Sequence, residues 1–177
     1  FLGKHAAGKR PVVISLRGYG SSPTRNSRVE DWVRFARGLD TSRYAPIIVP
    51  DTAMAMTAGP EDFDGLPVCL AACWNLEIRM ALYEAAWLNM GKMHGPLELC
   101  WFNGMVRYVI FLATGTDRVN SEDLLTEHGH RIGADLDFAT PHPRIVWSED
   151  DFATITKAFA EIEPTLPEIG PLPTAGT

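Results

Sequence analysis

The sequence predicts an open, mostly parallel α/β sheet with helices on both faces, and three observations carry that expectation. Residues 12–16 (VVISL) and 47–49 (IIV) are short runs rich in β-branched side chains and, apart from Ser15, without polar interruption. That is the pattern of strands buried on both sides. Between them lies one amphipathic stretch at helical spacing, so the first fifty residues read as strand, helix, strand with short connections. Apolar runs at 108–112 and 145–147 repeat the strand pattern farther along the chain.

Taken in order, residues 1–10 (FLGKHAAGKR) are basic, rich in small side chains and aperiodic, and read as a tail or linker. Residues 11–163 read as a single α/β domain, and 164–177 as a Pro- and Gly-rich tail expected to hang free. The first strand runs out at Leu16 and is followed at once by Arg17, then by the loop Gly18, Tyr19, Gly20, Ser21 and Ser22. Ser27 and Glu30 match a Ser-x-x-Glu capping box, which starts a helix at about Arg28. Val29, Trp32, Val33, Ala36 and Leu39 share its apolar face. Pro50 stops the second strand, with Asp51 and Thr52 just beyond its end.

Residues 53–65 hold Gly59, Pro60 and three acids and read as a surface loop, and 67–70 as a third strand. The spacing predicts the longest helix over 76–90, with Leu76, Met80, Tyr83 and Trp87 on one stripe. Glu77, Arg79 and Glu84 are its polar remainder, and a tight turn follows at 89–91. Pro96 in the first turn and Gly104 just past the end frame a short helix in between. Ser121 caps another through Leu124 and Leu125 that ends near Gly129, after which 129–143 are irregular. Ser148 is expected to cap the final helix. Glu149, Asp150 and Asp151 in its first turn suit the helix dipole, and Phe152, Ile155, Phe159 and Ile162 form its face.

The bulk properties narrow the function classes. With 177 residues, 46% hydrophobic and 21% charged, the chain suits one globular domain with a sizeable core. A net charge of -6 argues against a nucleic-acid footprint, which needs a basic excess. No apolar run approaches a membrane span and no signal peptide is visible, so a cytoplasmic location is expected. Cys69, Cys73 and Cys100 are odd in number and lie in apolar surroundings, which reads as buried reduced thiols and not as a disulfide framework or a nucleophile. The first residue is Phe1 and not Met, so the chain reads as processed, trimmed or a piece of something larger, and a function needing a second domain would not show in it.

Four segments are candidates for chemistry. Arg17 and Arg25 flank a small-residue loop that runs from a strand to a helix start, an arrangement suited to a phosphate. The glycines match only G-x-G-x-x-P, since Pro23 stands in the third glycine's place, so the dinucleotide fingerprint is not met, and there is no Walker sequence. Asp51 at the second strand's end is placed to accept from ribose hydroxyls or a base edge, against the alternative of a plain turn residue. His94, Gly95, Pro96 and Leu97 enter a helix in a way that brings backbone N–H groups near a diphosphate, with His94 as an added donor or acid, against the alternative of a tight turn. His128, His130, Asp135, Asp137 and His142 form a loose His/Asp group without metal-ligand spacing, and no metal is expected there.

Together these segments resemble the nucleotide-sugar-binding, C-terminal half of GT-B glycosyltransferases, nearest to fucosyltransferase-like and heptosyltransferase-like bacterial proteins. The resemblance is carried by VVISLR with its arginine-containing loop, by IIVPDT, and by ALYEAAWLNMGKMHGPLELCWF, and it covers about residues 11–162. It departs from the fucosyltransferase pattern where Ser15, Leu16, Arg17 and Gly18 stand in place of His-x-Arg-Arg. What it implies is a Rossmann-like domain in which Arg17 and Arg25 bind the donor's phosphates, Asp51 faces the nucleoside, and Gly95, Pro96 and Leu97 line the diphosphate. The third segment is then a helix, a strand end and a small-residue turn into a second helix. The ligand is a nucleoside-diphosphate sugar as substrate, with no separate cofactor. Transfer is metal-independent, with a second GT-B-like domain supplying the acceptor site. The alternative is a non-catalytic α/β module that binds a nucleotide or a protein.

Overall fold

The computed structural model describes residues 1–57, 59–115, 117–137 and 144–168. Five strands, β1 (Arg10–Ser15), β2 (Tyr44–Val49), β3 (Leu88–Lys92), β4 (Tyr108–Phe111) and β5 (Ile145–Val146), form one all-parallel sheet in the order β2-β1-β3-β4-β5. Seven α-helices accompany them: α1 (Leu2–His5), α2 (Val29–Gly38), α3 (Thr52–Ala55), α4 (Ala71–Trp74), α5 (Leu76–Ala85), α6 (Glu122–Glu127) and α7 (Phe152–Ile162). The architecture is the expected Rossmann-like α/β sheet with helices on both faces. Among the described residues, no helix is long and apolar enough to cross a membrane.

The period-two alternation of the strands sorts the core into two layers. Val12 and Ile14 of β1 with Leu16 just beyond it, Leu88 and Met90 of β3, and Val109 and Phe111 of β4 pack against Trp32 and Phe35 of α2 and Ile155 and Phe159 of α7. Val13, Ile47, Val49, Tyr108 and Ile110 face the other way, onto Cys73 of α4, Leu82 and Tyr83 of α5, and Leu97 and Cys100 of the 3-10 helix Gly95–Phe102. The segment framed by Pro96 is thus a helix of the tighter kind.

Several local expectations are corrected by contacts between distant segments. The predicted long helix over 76–90 stops at Ala85, and residues 88–92, read as its end and a turn, are instead the central strand β3, buried along its whole length. Its composition (LNMGK) hides this, because two of its five residues answer to neighbours and not to propensity. Asn89 donates from Nδ2 to the carbonyls of Tyr83 at 2.9 Å and Arg107 at 3.1 Å, the latter also taking the Asn89 backbone N–H at 2.9 Å, so that this side chain ties the end of α5 to the segment entering β4. Gly91 lies where β3 meets β1, and a Cβ there would sit 2.4 Å from the Ser15 carbonyl oxygen. Gly91→Ala is therefore expected to lower unfolding free energy by roughly 2–3 kcal/mol, as forced overpacking does, read as a lowered urea midpoint with an unchanged slope.

The stripe predicted on α5 is also rotated. Leu76 and Ile78 are exposed, while Arg79, Leu82 and Tyr83 are buried. Residues 67–70 contribute only one bridge, Val68 beside Ile48. Ser27 does not cap α2. Its Oγ accepts from the backbone N–H of Arg17 at 2.8 Å, and the first turn of α2 is held by Asp150, which accepts from the Arg28 N–H at 3.0 Å. Ser148 does not cap α7 either; Asp151 does, accepting from the Thr154 N–H at 2.9 Å. Nor are the described chain ends loose. Ala6 is fully buried in the α4/α5 layer, Leu166 is buried in the α2/α7 layer, and the Trp87 indole donates to the Pro167 carbonyl at 3.3 Å.

Candidate functional site

β1 has β2 on one side and β3 on the other, so the chain reverses direction of winding at β1, and the crevice outside the strand ends at such a point is where open α/β sheets bind ligands. Here that crevice is a cavity of about 260 Å³. Arg17 and Tyr19 enter it from the loop after β1, Asp51 and Thr52 from the end of β2, Cys73 and Arg79 from α4 and α5, and His94, Gly95 and Pro96 from the turn after β3.

Arg17 continues the alternation of β1, on the side of Val13 and Ser15, and is only 6% exposed. Its Nη1 donates to the Ser22 carbonyl at 3.1 Å and to Asn26 Oδ1 at 2.7 Å; the same Asn26 oxygen takes the Tyr19 N–H at 2.9 Å, which folds the loop back on itself. Burial, and after it the charge of Arg25, hold the Arg17 guanidinium below its usual pKa. Arg79 is 2% exposed. Its Nε donates to the Ala72 carbonyl at 2.7 Å, and its Nη1 lies 3.4 Å from the Tyr83 hydroxyl, which in turn shares a 2.7 Å hydrogen bond with Ser15 Oγ of β1.

Neither guanidinium has a carboxylate within ion-pair distance among the described residues. Among the described residues Asp51 is the one carboxylate of the cavity wall, and it is occupied: Oδ2 accepts from the Gly18 N–H at 3.3 Å, and Oδ1 from the Thr52 hydroxyl at 3.2 Å and the Ala53 N–H at 3.4 Å, capping α3. Two buried cations without a counter-charge are costly to hold, and their common cavity is complementary to an anion. His94 completes the wall. It is 7% exposed, with Nδ1 2.8 Å from the Lys92 carbonyl, and burial above all pushes its pKa down to about 4, so the ring is neutral at pH 7.

Of the residues expected from the sequence, Arg17, Asp51, His94, Gly95 and Pro96 come together in this cavity. Arg25 does not line it; its Nε lies 3.6 Å from Asp117 Oδ2. Leu97 does not either, being fully buried in the core against α5 and its neighbours. Tyr19 and Thr52 belong to the candidate segments 17–27 and 51–52, while Arg79 and Cys73 lie outside every segment expected from the sequence. Arg79 stands one helical turn before Tyr83 and three residues before Leu82, and this marks it as inward-facing only once the packing face of α5 is known.

The loose His/Asp group resolves into separate contacts. Asp135 Oδ1 accepts from the Ile145 N–H at 2.5 Å, Asp137 pairs with Arg131, and the His130 ring lies edge-on to Trp101 and Trp147. His142 lies outside the described residues, and among those described no group of three or more His, Cys, Asp or Glu could hold a metal ion. The three cysteines are free and buried, and burial raises the Cys73 thiol to about 11, far from a thiolate at neutral pH.

On the other face of the sheet sits a second polar cluster whose charges are paired. Lys92, 4% exposed, places Nζ 2.7 Å from Glu149 and 3.0 Å from Asp150; Asp150, fully buried, also accepts from the Trp32 indole at 2.8 Å. This cluster ties α2, β3 and the start of α7 together.

No protein-family model matches the sequence, and no curated protein matches it. Among solved structures, the chain is similar to the crystal structure of a glycosyl transferase family 9 protein from Veillonella parvula DSM 2008, with a TM-score of 0.53 at 8% sequence identity. The likeness covers 90% of this chain and 40% of that one, so the chain spans well under half the length of the protein it resembles. At this identity the shared property is the fold, a glycosyltransferase-like Rossmann-type unit.

Proposed function

We propose that the chain is the donor-binding half of a GT-B-type glycosyltransferase and holds a nucleoside-diphosphate sugar in the cavity at the β1/β3 switch point. The observation that carries this reading is the pair Arg17 and Arg79, buried on one cavity wall with His94 and without carboxylate partners among the described residues. In the reaction, the bond between the sugar's anomeric carbon and the diphosphate oxygen breaks, and negative charge builds on the departing diphosphate. Fixed guanidinium groups stabilise that charge, which supports transfer without a metal. In this reading Asp51, beyond β2, faces the nucleoside. The acceptor and the base that takes its proton belong to a second domain.

A binding-only role is the alternative, and one observation favours it: Trp74, Leu76 and Ile78 on α4 and α5 are exposed, an apolar run suited to a protein partner. Titration calorimetry with GDP-, UDP- and ADP-sugars tests the donor site. At least one is expected to bind, with Arg17→Ala weakening it by about tenfold, the worth of one charge-assisted contact. Binding by none overturns the donor reading. Binding without sugar transfer by the full-length protein favours the binding-only role.

A further inference from the structure

The donor reading leaves one group of the cavity unexplained. His94 is more than nine-tenths buried, and its Nε2 finds no hydrogen-bond partner among the described residues. The tautomer follows from the other nitrogen. Nδ1 lies 2.8 Å from the Lys92 carbonyl oxygen, and a carbonyl only accepts, so Nδ1 carries the proton. In the neutral ring Nε2 is then a bare lone pair, able to accept a hydrogen bond and unable to donate one.

An ionised phosphate oxygen is itself an acceptor and cannot satisfy that lone pair. We propose that the ligand of this cavity carries a hydroxyl beside its anionic group, the anion meeting Arg17 and Arg79 and the hydroxyl donating to Nε2 of His94. This inference rests on the donor-site reading and names the chemical class within it: a phosphorylated sugar, as opposed to any phosphate of similar size and charge. His94 is therefore an acceptor, and not the donor or acid its position in the sequence suggested.

The surroundings keep it so. The charged and titratable groups of the same wall are Arg17 and Tyr19 from the β1–α2 loop, Asp51 at the start of α3, Cys73 on α4 and Arg79 on α5. Desolvation and the two guanidinium charges oppose protonation of the ring, while the Lys92 carbonyl and Asp51 favour it, and the balance leaves the ring neutral well below pH 7. A buried acceptor left unpaired costs free energy, so a site built this way discriminates against a ligand that lacks the hydroxyl.

The test compares α-D-glucose 1-phosphate with cyclohexyl phosphate, the same phosphate ester on a six-membered ring without hydroxyls. Calorimetry at pH 8, where both esters are ionised, is expected to show glucose 1-phosphate binding about tenfold tighter, the worth of one buried hydrogen bond. His94→Phe is expected to bring the two affinities together. Nitrogen-15 NMR of the wild-type imidazole, which needs no variant, is expected to show a protonated Nδ1 and a bare Nε2 both before and after glucose 1-phosphate binds. Equal affinities for the two esters in the wild type, or a protonated Nε2 in the complex, overturn the hydroxyl inference and leave the anion site standing. If both esters and every nucleoside-diphosphate sugar fail to bind, the donor-site reading falls with it.

Discussion

Arg79→Met is expected to weaken nucleoside-diphosphate-sugar binding by about a hundredfold, the scale of a buried charge-assisted contact, while moving the urea midpoint little. The two readouts separate a ligand-binding arginine from a structural one. Arg79 is 2% exposed and has no carboxylate partner among the described residues, so in the free protein it is a desolvated charge held by the Ala72 carbonyl and the Tyr83 hydroxyl. Methionine fills a similar volume without the charge. It loses the Ala72 hydrogen bond but removes the desolvation penalty, and these offset to within about 1 kcal/mol. If Arg79 served only to brace α5, the same substitution would lower stability and leave affinity alone. Arg79→Lys keeps the charge but not the planar fork or the Nε donor, and is expected to fall between.

The largest effect on stability is expected from Asp150→Ala, a loss of roughly 4 kcal/mol, as when one partner of a buried ion pair is removed. Asp150 is fully buried and serves three elements at once: the Lys92 ammonium at the end of β3, the Trp32 indole inside α2, and the Arg28 N–H at its start. Alanine strands all three, leaving Lys92 with Glu149 alone. Since a domain's whole stability is on the order of 5–15 kcal/mol, chemical denaturation reads the change directly. Asp150→Asn keeps an acceptor for the Trp32 and Arg28 N–H groups and is expected to cost about half as much. A loss under about 1 kcal/mol in the alanine variant would mean that these contacts do not persist in solution.

Arg17 was legible in the sequence because it stands directly after an apolar strand, and strand ends are where open sheets place ligands. Asp51 and His94 were legible for the same reason, each following or entering an element with a clear local mark. Arg79 was not. Its neighbours Glu77 and Glu84 made it look like the solvent side of a helix, and only the direction in which α5 packs shows that it faces inward. Arg25 failed in the opposite way. It lies in the expected loop, but Asp117, far along the chain, draws it out of the cavity.

Local pattern was enough for β1, β2, β4, α2 and α7, and through their alternation for a parallel sheet with two helical layers, because each depends on side-chain periodicity within a few residues. The position of β3 was not, since Asn89 and Gly91 are explained by the carbonyls of Tyr83, Arg107 and Ser15 and by nothing in their own neighbourhood. The helix starts follow the same division. Ser27 and Ser148 carry the right side chains for caps, yet Ser27 is taken by Arg17, α7 is capped by Asp151, and α2 begins on a carboxylate 122 residues away from Arg28. A cap, a counter-ion or a cavity wall is chosen by distance in space. The fold class was therefore written in the chain's local order, and the site was decided when the sheet brought β1, β3 and α5 to one edge.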